Sequence, residues 1–256
     1  VANAEDPAVS HFAGASSVPC YRYGAGGDVR AEKVRLDFGG TSFRLATPFG
    51  AAEARIRLIG HHNVSNALCA AALCAGLGVP VEAVADGLGV LPRVAGRFEP
   101  VDAGQPFHVI VDYAHTDDGL SNVLRAARAL CKGRIITVFG CGGDRDKGKR
   151  PKMGTVAASM SDFCILTSDN PRTEDPHRIL LDVEVGMQRT EKRKGDDYLV
   201  MESRGEAIRK AVSLAKSGDL VMIAGKGHEN YQIIGTERHH FDDREEALAA
   251  LKALKP

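Results

Sequence analysis

Apolar positions change their period about a third of the way along the chain, and the change divides it. Between residues 29 and 59 they alternate: Val34, Leu36 and Phe38, then Phe43 and Leu45, then Ile56 and Leu58. Period-two alternation predicts short strands with one buried face, and Gly39-Gly40 predicts a hairpin turn between the first two. An alanine- and leucine-rich stretch from Val64 to Ala75 predicts a helix ended by Gly76, and a second helix spans Val81 to Leu91. The break falls at Pro92-Arg93-Val94-Ala95-Gly96-Arg97, giving expected domains 1–93 and 94–256. Beyond it, strands are expected near 98–102, 107–112, 134–139, 163–167, 197–201 and 219–224. Helices are expected near 118–131, 151–160, 176–188, 204–216 and 243–254. Strand and helix in alternation predict an α/β fold, a mostly parallel sheet covered on both faces. Gln232 to Ile234 and Arg238 to Phe241 predict a hairpin at the sheet's edge. The first 30 residues carry the weakest pattern.

Composition narrows the partners. Thirty-three basic residues balance thirty-three acidic ones, so no net field draws the chain to nucleic acid or an anionic membrane. Neither an apolar run near 18 residues nor an N-terminal signal pattern is present, which argues against membrane insertion and secretion. The six cysteines form no C-x-x-C pair and read as reduced thiols of a cytoplasmic protein. Cys141, in a glycine-rich stretch, is the candidate for reactivity.

The densest chemistry lies in Ser168-Asp169-Asn170-Pro171-Arg172-Thr173-Glu174-Asp175-Pro176, directly after the apolar run Phe163 to Thr167. Proline stops the strand, and Thr173 or Asp175 can cap the helix that Pro176 opens. The loop therefore leaves the carboxyl end of a strand, where open α/β sheets receive ligands. Arg172 can grip a carboxylate with two parallel hydrogen bonds, and Asn170 can both donate and accept. Taken alone, D-N-P-R reads equally well as a polar turn. It has company, however. Val138 to Pro151 (V-F-G-C-G-G-D-R-D-K-G-K-R-P) and Ala224 to Gln232 (A-G-K-G-H-E-N-Y-Q) also follow strand-like runs.

With His61 to Asn66 (H-H-N-V-S-N) and Val111 to Thr116 (V-D-Y-A-H-T), these make five ordered segments. Together they resemble the Mur ligases, and within that family the members that add meso-diaminopimelate to UDP-N-acetylmuramoyl-L-alanyl-D-glutamate. The resemblance implies a Rossmann-like C-terminal domain that binds the incoming amino acid, preceded by the C-terminal part of the central ATPase domain. It implies cytoplasmic peptidoglycan precursor synthesis, with ATP activating the D-glutamate carboxylate as an acyl phosphate that the diaminopimelate amine attacks. For diaminopimelate it implies Arg145, the recognition motif Asp169, Asn170, Pro171 and Arg172, then Gly225 and Glu229. Arg145 could instead pair with Asp144 or Asp146, and Glu229 could be a surface carboxylate. For the nucleotide it implies Asn66 or Asn63 against adenine, with Arg97 and Asp112 toward phosphate and ribose. Helix capping is the competing role for Asn63, and loop fixing for His115 beside the nucleotide. The family's Y-A-H-T-P-D reads Y-A-H-T-D-D here, with Asp117 in place of proline.

The family's phosphate loop, G-x-x-x-x-G-K-[ST], does not occur in these 256 residues. The Gly140 to Arg150 stretch lacks its spacing, and Arg145 stands where a third glycine of G-x-G-x-x-G would fall. ATP and Mg²⁺ are thus expected of the parent enzyme, whose UDP-binding domain, phosphate loop and metal-binding residues, including a carbamylated lysine, are not in this sequence. On that reading the 256-residue chain looks like a C-terminal half and is not expected to catalyse ligation alone. The alternatives are a folylpolyglutamate-type or other Mur-like ligase, and a non-catalytic amino-acid-binding module.

Overall fold

The computed structural model describes residues 1–254; residues 255 and 256, at the end of the second expected domain, lie outside it. Two compact units form, Val1–Arg93 and Val94–Pro256.

The first unit opens with β1 (Ala2–Asn3), α1 (Val9–Ala15) and β2 (Arg22–Tyr23), the two short strands pairing in parallel. A meander follows: β3 (Arg30–Asp37), β4 (Gly40–Thr47) and β5 (Gly50–Ile56), antiparallel throughout. The turn sits at Phe38-Gly39, where Asp37 accepts the Gly39 N–H at 2.6 Å. Helices α2 (His61–Gly76) and α3 (Val81–Val90) complete the unit. Val64, Ala67, Leu68, Ala71, Ala72 and Ala75 recur at helical spacing and are the buried residues of α2, packed with Phe43, Leu45 and Ile56. The helix starts three residues earlier than its apolar pattern and runs through Gly76. Gly78, at φ +76°, takes the left-handed position beyond its end instead.

The second unit contains β6 (Glu99–Pro100), β7 (His108–Asp112), α4 (Asp117–Leu130), β8 (Ile135–Phe139), α5 (Lys149–Met160) and β9 (Phe163–Thr167). Then come α6 (Pro176–Met187), β10 (Tyr198–Met201), α7 (Arg204–Leu214), β11 (Leu220–Ala224), β12 (Tyr231–Ile234), β13 (Glu237–His240) and α8 (Asp243–Ala253). Six strands form one sheet in the order β10-β9-β8-β11-β7-β6, parallel except for β6. This is the α/β architecture that the alternation predicts. Every residue of β8 and β11 is buried, as sandwiched parallel strands require. Val109, Val111, Ile136, Val138, Val221 and Ile223 meet Ala207, Ile208 and Ala211 of α7 and Ala247 and Leu251 of α8. The terminal hairpin departs from expectation: β12 and β13 form their own two-stranded ribbon. The sheet's edges are β10 and β6, and the ribbon pairs with neither. The ribbon is held instead by a bridge from Ile234 to Arg172.

Candidate functional site

Because β7, β8, β9 and β11 run parallel, the loops after them leave the same edge of the sheet. Two of these loops are bonded to each other along their length. The Gly143 N–H donates to the Asn170 carbonyl at 2.9 Å, and Arg172 Nη1 donates to the Gly143 carbonyl at 2.8 Å. A Cβ on Gly143 would stand 1.9 Å from the Pro171 carbonyl oxygen, so no larger residue permits this approach. Asp144 accepts both the backbone N–H (3.1 Å) and the hydroxyl (3.0 Å) of Thr173. Thr173 is therefore spent on the neighbouring loop, and Asp175 caps α6 through the His177 N–H.

Glu174 joins the same seam, accepting from the Asp144 N–H at 2.6 Å and from both terminal nitrogens of buried Arg150. These bonds hold its carboxyl well down, at about 2, with the Arg150 hydrogen bond the main cause. A depressed carboxyl stabilises the fold fully above its unfolded value, and the contribution is lost as pH falls through the folded one. The stability of Glu174→Gln should therefore fall less steeply than wild type between pH about 4.5 and 2, as melting temperature against pH would record. Parallel curves would remove Glu174 from the seam's energetics.

A cavity of about 530 Å³ opens among the loops. It brings together Arg145, Asp169, Asn170, Arg172, Gly225 and Glu229, six of the seven residues expected to meet the amino acid. The seventh, Pro171, lines a separate cavity of about 660 Å³ with Ser168. On the lining of that larger cavity, Arg204 is paired with Asp243 and Arg209 with Glu246. The N-terminus of α7 on its wall already has the Glu246 carboxylate against Gly205.

Arg145 is exposed, and its guanidinium reaches only the Asp144 carbonyl at 3.3 Å. Among the described residues it forms no ion pair with Asp144 or Asp146, and Arg172 has no carboxylate partner either. Arg172 holds φ at +52°, a backbone conformation that arginine adopts at a cost. Asn170 is nearly fully buried; its Oδ1 accepts from Lys226 Nζ (3.1 Å) and the Ile233 N–H (3.0 Å), and its Nδ2 donates to Glu229 Oε2 (3.0 Å). The acceptor expected to read a ligand is thus already used by the protein. Glu229 is half-buried and bonded, so the surface-carboxylate alternative does not describe it. Gly225, at φ +124°, turns the chain after β11 and donates its N–H to the Asp112 carbonyl at 3.0 Å.

The residues expected at the nucleotide are placed differently. Arg97 lies over the Tyr113 ring, 5.1 Å from its centroid. Asp112 is buried, with one oxygen accepting from the Phe98 N–H (2.7 Å) and the other from the Ala114 N–H (2.8 Å). Burial still raises its pKa against those two bonds. His115 is exposed on the same 530 Å³ cavity, with Nδ1 2.9 Å from the Tyr113 carbonyl. Thr116 caps α4, and Asp117 follows it in the first turn. Asn63 and Asn66 belong to the first unit, 3.4 Å apart on one helix face. Gly60 holds the cap position of α2, and the Asn63 amide donates instead to the Ile59 carbonyl at 2.9 Å.

Several participants carried no assignment from sequence. Lys226 and Arg150 are wholly buried, as is Arg204, which pairs with Asp243. Glycines on both sides of Lys226 were a usable signal for an inward-turned side chain. Arg150 ends the run Asp146 to Arg150, which reads as a solvated charge cluster. The reactivity expected of Cys141 is overturned: it is buried, its thiol lies 3.5 Å from Met153 Sδ, and burial pushes its pKa to about 12. In the native chain a thiol reagent should label Cys20, Cys69 and Cys74, which are partly exposed, and reach Cys141 only after unfolding. Mass spectrometry of the native reaction showing Cys141 among the first labelled sites would contradict this.

An open, mostly parallel sheet with bonded loops and a cavity lined by charges of both signs at its carboxyl edge defines an α/β domain. The chain belongs to the Mur ligase family. The profile of the Mur ligase glutamate ligase domain matches residues 96–227, and that of the Mur ligase middle domain matches residues 1–74. It is 46% identical to the UDP-N-acetylmuramoyl-L-alanyl-D-glutamate–2,6-diaminopimelate ligase of Syntrophomonas wolfei, over 98% of this chain and 51% of the relative. It is 48% identical to the ligase of the same name from Bacillus licheniformis, over 100% of this chain and 51% of the relative. A solved structure of an enzyme of that name superposes with a TM-score of 0.64 at 35% identity, covering 98% of this chain and 52% of the other. The chain spans about half the length of the curated relatives it matches. No helix among the described residues is long and apolar enough to cross a membrane.

Proposed function

We propose that the second unit receives meso-diaminopimelate for ATP-dependent amide ligation to UDP-N-acetylmuramoyl-L-alanyl-D-glutamate; relatives at 46–48% identity are named as 2,6-diaminopimelate ligases of that nucleotide. The carrying observation is one cavity that offers Arg172 and Arg145, without carboxylate partners among the described residues, together with a half-buried Glu229. An amino-acid terminus is a carboxylate and an ammonium on one carbon. Arg172 on the backbone side of Asn170 and Glu229 on its amide side match that pair of charges. The residues of this chain hold and orient the nucleophile, and orientation is a large part of catalysis when ATP supplies the activated acyl group. Arg97, Asp112 and His115 are our candidates for the nucleotide side, with Asn66 or Asn63 for the adenine, and the first unit as the C-terminal part of the ATP-binding domain. For Mg²⁺, no group of three or more His, Cys, Asp or Glu side chains comes together among the described residues, so no step is derived through a metal.

Titration calorimetry of the chain with meso-diaminopimelate, L-lysine and L-glutamate tests the reading. We expect binding of diaminopimelate and at least tenfold weaker binding of the other two, since L-lysine lacks the distal carboxylate and L-glutamate the distal ammonium. Preference for L-glutamate would favour a folylpolyglutamate-type ligase and overturn it.

A further inference from the structure

The segment Gly225-Lys226-Gly227 contains a lysine for which neither the ligand nor the nucleotide gives a role. Lys226 is fully buried, and burial lowers its pKa. A lysine is the costliest common side chain to enclose unless its ammonium is matched. Its neighbours turn it inward: Gly225 at φ +124° and Gly227 at φ +52°, the latter packed against Tyr113 Cβ, reverse the chain on either side.

What the ammonium touches is specific. Nζ lies 3.1 Å from Asn170 Oδ1 and 3.5 Å from Glu229 Oε2, and 5.5 Å from the centre of the Tyr231 ring. Asn170 Oδ1 also accepts the Ile233 N–H. Two donors on one oxygen fix which way the carboxamide faces, since the flipped amide would set NH₂ against both. The amide nitrogen is thereby aimed at Glu229 Oε2. Both internal bonds to Glu229 converge on Oε2, and Oε1 has no partner among the described residues. The result is a carboxylate on a cavity-lining residue that the protein holds through one oxygen.

We infer that Lys226 is a positioning residue for amino-acid recognition: through the Asn170 carboxamide and Glu229 Oε2 it presents Glu229 Oε1 to the ligand's distal ammonium. The inference rests on the functional reading above and adds to it the source of selectivity for a diamino acid. A lysine wanted only for packing would be served as well by methionine. One wanted for its charge on Asn170 and Glu229 would not.

The test compares the full chain with Lys226→Met and Asn170→Asp, using two ligands that differ in one group. Meso-diaminopimelate carries the distal ammonium and 2-aminopimelate lacks it. Calorimetry should show wild type preferring diaminopimelate, and each variant losing at least tenfold of that preference while its affinity for 2-aminopimelate changes less. Asn170→Asp keeps an acceptor for Lys226 but cannot donate to Glu229, so it serves if Lys226→Met does not fold. A ligand-free arm separates this inference from the functional reading. In wild type the Asn170 side-chain amide protons should exchange slowly by NMR, and in Lys226→Met at least tenfold faster, with the amides of β8 and β11 unchanged. Protection of Asn170 that survives Lys226→Met overturns the inference whatever the chain binds. Equal loss of affinity for both ligands reduces Lys226 to a structural residue and also overturns it. Wild type indifferent to the distal ammonium would overturn the functional reading, while the exchange arm still decides whether Lys226 positions Asn170.

Discussion

Alanine in place of Arg204 is expected to destabilise the second unit by about 3–5 kcal/mol, the range for removing one partner of a buried ion pair. Arg204 opens α7, and Asp243 opens α8; both side chains are fully enclosed. Nε and Nη2 grip the two Asp243 oxygens at 2.7 and 2.6 Å, and Nη2 also donates to the Ala224 carbonyl at 3.1 Å. One guanidinium therefore ties the starts of two helices to the end of β11. Without it Asp243 stays enclosed with its charge uncompensated, which is the expensive outcome. Nη1 has no hydrogen bond and stands 4.0 Å from Asp169 Oδ2, so the same change also removes a positive charge from behind the cavity wall. Arg204→Met with Asp243→Leu should recover most of the loss, because an apolar pair of similar volume often replaces a buried salt bridge without penalty. Urea unfolding of the three variants measures this. A single-variant loss below about 1 kcal/mol, the scale of an exposed pair, would mean that the enclosure described here does not govern stability.

That pair also illustrates what the sequence could and could not reveal. Strands β8, β9 and β11 were legible because each is a short apolar run closed by a glycine or a polar loop. The helices between them were legible from apolar spacing and from caps such as Asp175. Their loops therefore fell at one edge by topology alone. What the pattern could not show was which charges turn inward. Arg150, Arg204 and Lys226 look in sequence like any solvated cation, and their burial depends on partners 24 to 56 positions away, such as Glu174, Asp243 and Asn170. Asn170 shows the converse error. Its residue type fits ligand reading, yet its acceptor is filled by Lys226 and the Ile233 N–H, pairings across the fold that no local spacing encodes. Family resemblance pointed to loops that the fold brings to one cavity, and packing sets the partners within them.

Arg172→Ala should reduce the preference for meso-diaminopimelate over L-lysine by about 1–3 kcal/mol, the scale of a charge-assisted hydrogen bond. Arg172 lines the cavity with no carboxylate partner among the described residues, and the distal carboxylate is the group that L-lysine lacks. Its backbone argues in the same direction. A left-handed φ of +52° costs a non-glycine residue about 1–2 kcal/mol, and strain of this kind persists where the surroundings enforce it. Here the N–H to Ile233 and the carbonyl from Gly235 clamp residue 172 on both sides. Arg172→Gly would relieve that strain while giving up the bond from Nη1 to the Gly143 carbonyl, worth about 1 kcal/mol. The two terms nearly offset, so the glycine variant should unfold at close to the wild-type urea midpoint. It should nonetheless lose as much ligand preference as alanine. Lysine at 172 should rescue only part, because an ammonium cannot form two parallel bonds to a carboxylate. Paired calorimetry and urea titration on the three variants separate the roles. If glycine kept the diaminopimelate preference, the guanidinium would be a loop fastener, and Arg145 would be left as the cation that reads the distal carboxylate.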